Sequence, residues 1–341
     1  MNKNSRVCAM DSLKLLFMFL IVIHHSGYYS AVLRHAYMAV DLFFMISGFL
    51  LMHTMVKKPQ INTDRYFLSR LSKLYPHYLL SFAAIFLSTS VYKAGTITFP
   101  MLLHALPELL LVQNLGIFSG GVNYPCWYLS VLVFAGTLVF FMGRVLPRRR
   151  FNILACLCAV VSYGYILCTN GGSMETFAIV GVFYLPFWRG MAGLLCGTLL
   201  YQLHSVLVSC YRKHCRLFRC LELLMLTASV VLMFSAGRVD GVILVCMFLL
   251  LLSIGSEASL LERYSENSAV SVAIRYEYAV FLNHAFVIGM VKKLFVERFG
   301  FHAPINLAVL LTVLVIYSVI TETFVTRAVQ SFRKRLEKVN T

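Results

Sequence analysis

Long apolar runs separated by short basic or turn-forming stretches make up most of the chain, and within the runs apolar and polar positions do not alternate. A helix needs about 20 apolar residues in a row to cross a bilayer, whereas the strands of a closed barrel would alternate with period two. The pattern predicts spanning helices near 11–30, 37–56, 74–92, 126–143, 151–168, 180–201, 220–236, 241–256, 275–292 and 306–326. Residues 97–125 are apolar enough to span, but Pro100, Pro107, Gly120-Gly121 and Pro125 interrupt them. Counting them as a crossing would separate Arg148-Arg149-Arg150 from the other basic loops, so a re-entrant or outward-side segment is expected there. Irregular backbone at membrane depth needs cover from protein or water, which makes the segment a candidate cavity wall. The expectation is an all-α polytopic integral membrane protein of about ten transmembrane helices. The whole of 1–341 reads as one membrane domain, with no internal repeat and no hydrophilic block long enough for a second.

Composition points the same way. Hydrophobic residues make up 60% of the 341 positions and charged ones 13%, with a mean hydropathy of +0.79. A soluble domain is roughly half apolar and a quarter charged. The excess of 30 Lys+Arg over 14 Asp+Glu would suggest nucleic acid in a soluble chain. Here its position argues otherwise: 21 basic residues, among them Lys57, Lys58, Arg65, Arg70, Lys73 and Arg148-Arg149-Arg150, fall on one side of the span layout and 6 on the other. Basic residues collect on cytoplasmic loops, so both termini are placed in the cytoplasm and the protein in the plasma (inner) membrane. Lys3 and Arg6 precede the first apolar stretch as they would in a signal peptide, but His24-His25-Ser26-Gly27-Tyr28 follows instead of a small-residue cleavage site, which favours an uncleaved span. The ten cysteines lack metal-ligand spacing and read as small buried hydrophobes, so no metal is expected.

Ionisable residues inside apolar runs are costly and mark candidate sites. The first run carries Asp11, Lys14, His24 and His25. Lys14 and His25 are eleven residues apart, which on a helix brings them within about 20° of one face and about 16 Å along it. His24 points about 100° away and is the packing or hydrogen-bonding candidate. Asp41, early in the returning run, lies at a depth similar to that of His25, where a carboxylate would fix an imidazole's tautomer for general-base work; a histidine satisfied by backbone at a helix end is the plain alternative. Arg65, Arg70 and Lys73 read as a basic loop, either an ordinary orientation signal or a grip for an anionic cytoplasmic donor. Arg189, Arg275 and Glu322 lie at or inside span ends, with a structural ion pair of Glu322 to Lys14 or Asp11 as the plain account. His284, beside Asn283, reads as an interhelical hydrogen-bonding residue.

Several blocks resemble, in order and over nearly the whole chain, the membrane-bound acyltransferase family 3 of the polysaccharide O-acyltransferase type. They are Lys14 to His25 behind Asp11 in MDSLK, AVDLFFMISGFLL at 39–51 with Asp41, Ser47 and Gly48, and RLSKLYP at 70–76. PCWYLS at 125–130, Arg189 with Gly193 and Gly197, YAVFLNHAF at 278–286 and Glu322 in TETFVTR complete the set. The chain departs from the family pattern in having Lys73 for an arginine, Phe324 for a proline and no acidic residue after Ser130. No soluble C-terminal extension follows, so the stand-alone form is expected.

The resemblance implies transfer of an acyl group, most often acetyl, from cytoplasmic acyl-CoA to a hydroxyl of a glycan or lipid-linked sugar of the cell envelope. His25 would be the base, Asp41 its orienting carboxylate, and Lys14, Arg65, Arg70 and Lys73 the donor-binding set. The rival from another class is a transporter or flippase of a lipid-linked glycan, which would be expected to carry inverted repeats or paired broken helices. A sensor or scaffold would not need Lys14, His25 and Asp41 along one path.

Overall fold

The computed structural model describes residues 5–116, 121–180, 183–254, 259–265, 267–300 and 303–339. Lys3 and Gly120, used above in the charge bias and among the helix breakers, lie outside these residues. Helices account for nearly all of it: α1 Ser5–His25, α2 Ala39–Lys57, α3 Thr63–Ala94, α4 Phe99–Leu109, α5 Trp127–Val145, α6 Arg148–Thr169 and α7 Leu185–Val206. After two two-turn helices and their partners, α8 Val208–Lys213, α9 Cys215–Leu232, α10 Asp240–Ser253 and α11 Leu260–Ser265, the chain ends in α12 Ser268–Val291 and α13 Ala303–Val339. The remaining pieces are small: two 3₁₀ turns, a π-helical turn at Lys292–Glu297 and a hairpin of two-residue strands, Ile179–Val180 with Phe183–Tyr184. The protein is thus all-α and polytopic. By length and composition, five described helices are apolar enough to cross a membrane, and the shorter α10 is also apolar.

Helices run through each of the ten predicted ranges, with shifted ends. The first stops at His25 rather than residue 30, and residues 26–35 are turns. The sixth starts at Leu185, after the hairpin, rather than at 180. Residues 63–73, expected as a basic loop, are the opening turns of α3. At 32 residues α3 is about 48 Å long against a hydrocarbon core of about 30 Å, and its opening turns stay packed through Tyr66, which is buried and stacks on Phe140 of α5.

The expected break at 97–125 is only partly a break. Pro100 lies in the first turn of α4, where its missing N–H costs nothing, and Pro107 lies near the helix end. At 11 residues α4 is about 16 Å long, half the hydrocarbon core. It runs back along α3, so that Tyr75 and Tyr78 on α3 donate to the carbonyls of Leu109 and Glu108. The Glu108 side chain then accepts the backbone N–H groups of Val122 and Asn123 and closes the segment on itself. Burial raises the Glu108 carboxyl above its usual range, against the pull of these two N–H groups.

The tightest packing joins α2 to α7. A Cβ at Gly48 would collide with the Leu194 carbonyl, and one at Gly197 with the Met45 carbonyl; at Gly193 it would meet Phe44. Small residues let two membrane helices approach to backbone contact, which explains the glycines of the SGFLL block and of α7. α6 packs on the other side of α7, α9 on α10, and α1 and α3 on α12.

Candidate active site

His25 is the last residue of α1, and it meets α12 rather than α2. Its Nδ1 lies 2.9 Å from His284 Nε2, with the two rings within 5° of parallel. His284 Nδ1 lies 2.5 Å from the carbonyl oxygen of Phe281 in its own helix. A carbonyl can only accept, so these partners assign the His284 proton to Nδ1 and leave Nε2 with its lone pair. That lone pair accepts Nδ1–H of His25, so in the neutral pair the lone pair of His25 falls on Nε2. A half-buried imidazole with Nδ1–H held and Nε2 basic is arranged to take a proton from a hydroxyl or to attack a carbonyl carbon. His24 faces elsewhere and donates to the Leu33 carbonyl at 2.7 Å.

Asp41 does not orient His25. It is fully buried and is held by Arg189, whose Nη2 lies 2.5 Å from Oδ2 and whose Nε reaches both carboxylate oxygens at 3.1–3.2 Å. Tyr163 donates to Oδ1 at 3.3 Å. Arg189 spends its other donors on the carbonyls of Met174 and Tyr37, and its guanidinium lies over the Tyr37 and Trp127 rings. Similar depth on neighbouring helices does not fix which way a side chain points around the axis, and Asp41 points to α7. Beside it, Asp240, also fully buried, accepts from His35, Tyr37 and the Met174 N–H, tying the turns after α1 and α6 to the start of α10.

Lys14 faces the bundle interior, but its ion pairs differ from those expected. Nζ lies 2.6 Å from Asp11 and 3.5 Å from Glu277 on α12. Glu322 instead lies 2.8 Å from His77 Nε2, at an angle that makes no hydrogen bond. Glu277, which sequence reasoning passed over, is a carboxylate one turn into an apolar run, and the rule that singled out Lys14 would have found it.

The Tyr128 hydroxyl lies 3.2 Å from Ser47 Oγ, with Lys14, Glu277 and Arg70 in its electrostatic surroundings. Tyr128 packs edge-on against Phe281, and Phe281 packs against His284. These residues form a series of neighbours between α3 and His25. Arg70 Nε lies 3.2 Å from the Tyr66 hydroxyl, and Arg65 and Lys73 are exposed on the same turns of α3.

The end of the 97–125 segment packs against α3, α12 and His25. Asn123 Nδ2 donates to Ser81 Oγ on α3 and to the Leu282 carbonyl on α12, two residues from His284. The Tyr124 ring lies edge-on to His25, 5.2 Å between centroids. Among the described residues, no group of three or more His, Cys, Asp or Glu side chains is placed to hold a metal ion.

A family model described as an acyltransferase domain matches residues 9–322. No curated protein and no solved structure matches the chain.

Proposed function

Because the chain belongs to the acyltransferase 3 family and is a multi-pass integral membrane protein, we propose that it is an O-acyltransferase, moving an acyl group, acetyl in the commonest case, from acyl-CoA to a hydroxyl of a cell-envelope or exported glycan. The observation that carries this reading is the hydrogen-bond chain from the Phe281 carbonyl through His284 to His25, which leaves His25 Nε2 as the base. As the acceptor oxygen attacks the thioester carbonyl, Nε2 takes its proton; the C–S bond then breaks, and the imidazolium returns a proton to the departing thiolate. The positive charge that forms on His25 strengthens its Nδ1–H bond to His284, so the pair is better bonded in the transition state than before it. The same lone pair would serve an acyl-histidine route, with Nε2 attacking the thioester first.

On the donor side, Arg65, Arg70 and Lys73 project where CoA phosphates would arrive. Lys14, held by Asp11 and Glu277, supports a polar wall along which the thioester arm reaches inward. With the basic end cytoplasmic, as charge bias requires, the donor enters from the cytoplasm and His25 faces the far side of the plasma membrane.

The test is His25→Ala in isolated membranes supplied with labelled acetyl-CoA. Label transfer to envelope acceptor should fall to background, while the protein still inserts and melts as the unaltered one does. Undiminished transfer by that variant would overturn the assignment.

A further inference from the structure

A cavity of about 240 Å³ lies between the end of the 97–125 segment, the start of α5 and the hairpin before α7. Its walls include Gln113, Asn123, Tyr124, Trp127, Phe177 and Tyr184. Tyr124 borders both the cavity and the imidazole, since the ring that lines the cavity is also the one set edge-on to His25. The cavity is below the roughly 300–1,000 Å³ of sites for drug-sized ligands. None of the described residues lining it is charged.

Its polar groups are incompletely paired. Gln113 is 1% exposed, and neither its amide oxygen nor its nitrogen makes a hydrogen bond of acceptable geometry. The Tyr78 hydroxyl gives its proton to the Glu108 carbonyl, so toward the neighbouring Gln113 amide it can only accept, which leaves Gln113 Oε1 without a donor. Asn123, also 1% exposed, uses its nitrogen on Ser81 and Leu282 and leaves Oδ1 without a partner. Buried amide groups without partners cost about 1–3 kcal/mol each, a cost that a ligand offering both donors and acceptors would relieve.

We propose that this cavity binds the sugar ring that carries the accepting hydroxyl. This rests on the acyl-transfer reading and adds to it a place for the acceptor. A pyranose hydroxyl both donates and accepts, which suits the free Gln113 amide and Asn123 Oδ1. The apolar C–H faces of the ring suit the aromatic walls supplied by Trp127, Phe177 and Tyr184. The volume takes one ring, with the rest of the glycan leaving past Phe177, which is 57% exposed. A cavity without cationic walls does not suit the phosphates of CoA, and the basic residues proposed for those are on the opening turns of α3.

The test pairs Gln113→Leu with Phe177→Ala and follows labelled acetyl transfer to envelope material from the producing cells over a range of acceptor concentrations. Labelling by a photoreactive CoA analogue is measured in parallel. Each variant should raise the apparent acceptor KM about tenfold or more, with CoA-analogue labelling unchanged. If Gln113→Leu does not accumulate, Phe177→Ala decides the matter, because its exposed ring holds no part of the core. An unchanged acceptor KM in the variants that accumulate, or a loss of CoA-analogue labelling, would overturn the inference. His25→Ala run alongside separates the two failures. If it is inactive while acceptor KM is unchanged, the cavity alone is wrong; if it is active, the underlying reading is wrong.

Discussion

The α2–α7 seam and the His25 end of the bundle both bury polar groups at membrane depth, and they treat them in opposite ways. At the seam, Gly48, Gly193 and Gly197 bring the helices to backbone contact, and the Asp41–Arg189 pair has a partner for every charged group. At the other end, the Gln113 amide and Asn123 Oδ1 are buried without partners, and His25 is held through Nδ1 alone by another imidazole. A saturated buried network holds one arrangement and has nothing left to offer a ligand. An unsaturated one carries a standing cost in the empty protein that binding removes. Charge alone therefore does not distinguish the two regions; incomplete pairing does.

The strongest way to break this contrast is to remove one partner at the seam. Arg189→Ala or Asp41→Asn should destabilise the protein by about 3–5 kcal/mol, because the remaining group is left buried without its counter-ion. The check is thermal unfolding in detergent, where His25→Ala should melt normally. A stable but inactive Asp41→Asn would return Asp41 to the catalytic set. A smaller effect is expected at the imidazole pair. His284→Ala should lower kcat about 10–100-fold with donor KM unchanged, since the base keeps its position but loses the acceptor that fixes its tautomer. His284→Gln, which restores an acceptor oxygen, should recover part of the rate; equal losses in both variants would point to packing instead. The smallest effect belongs to the donor mouth, where Arg70→Gln should raise the apparent acetyl-CoA KM several-fold and leave kcat nearly unchanged. A kcat loss without a KM change there would show that Arg70 acts beyond binding.

Much of the fold was legible because hydropathy periods and helix rise are local properties. A run long enough to span announces itself, and the eleven-residue step from Lys14 to His25 places both on one face of α1 wherever the helix goes. What hydropathy leaves open is the rotation of each helix about its axis and the choice of neighbours. Asp41 was matched to His25 by depth, yet α2 turns that carboxylate to Arg189, 148 positions further along the chain. His284 read as a core hydrogen-bonding residue, and it is one, but the group it bonds is the candidate base. Residues 63–73 read as a loop because charged positions end an apolar run, yet they form the opening turns of α3. The cavity left only a faint trace, in the proline and glycine punctuation of 97–125. Its unpaired Gln113 becomes visible only once Tyr78 is seen to give its proton to Glu108.

The distance along the chain between Asp41 and Arg189 also sets a schedule for biogenesis. At roughly 5–20 residues per second, a ribosome needs about 7–30 s to add the intervening stretch. For that interval α2 has emerged with a carboxylate whose permanent counter-ion has not yet been synthesised. A nascent chain stopped before Arg189 would therefore carry a buried acid without the partner that holds it in the finished fold.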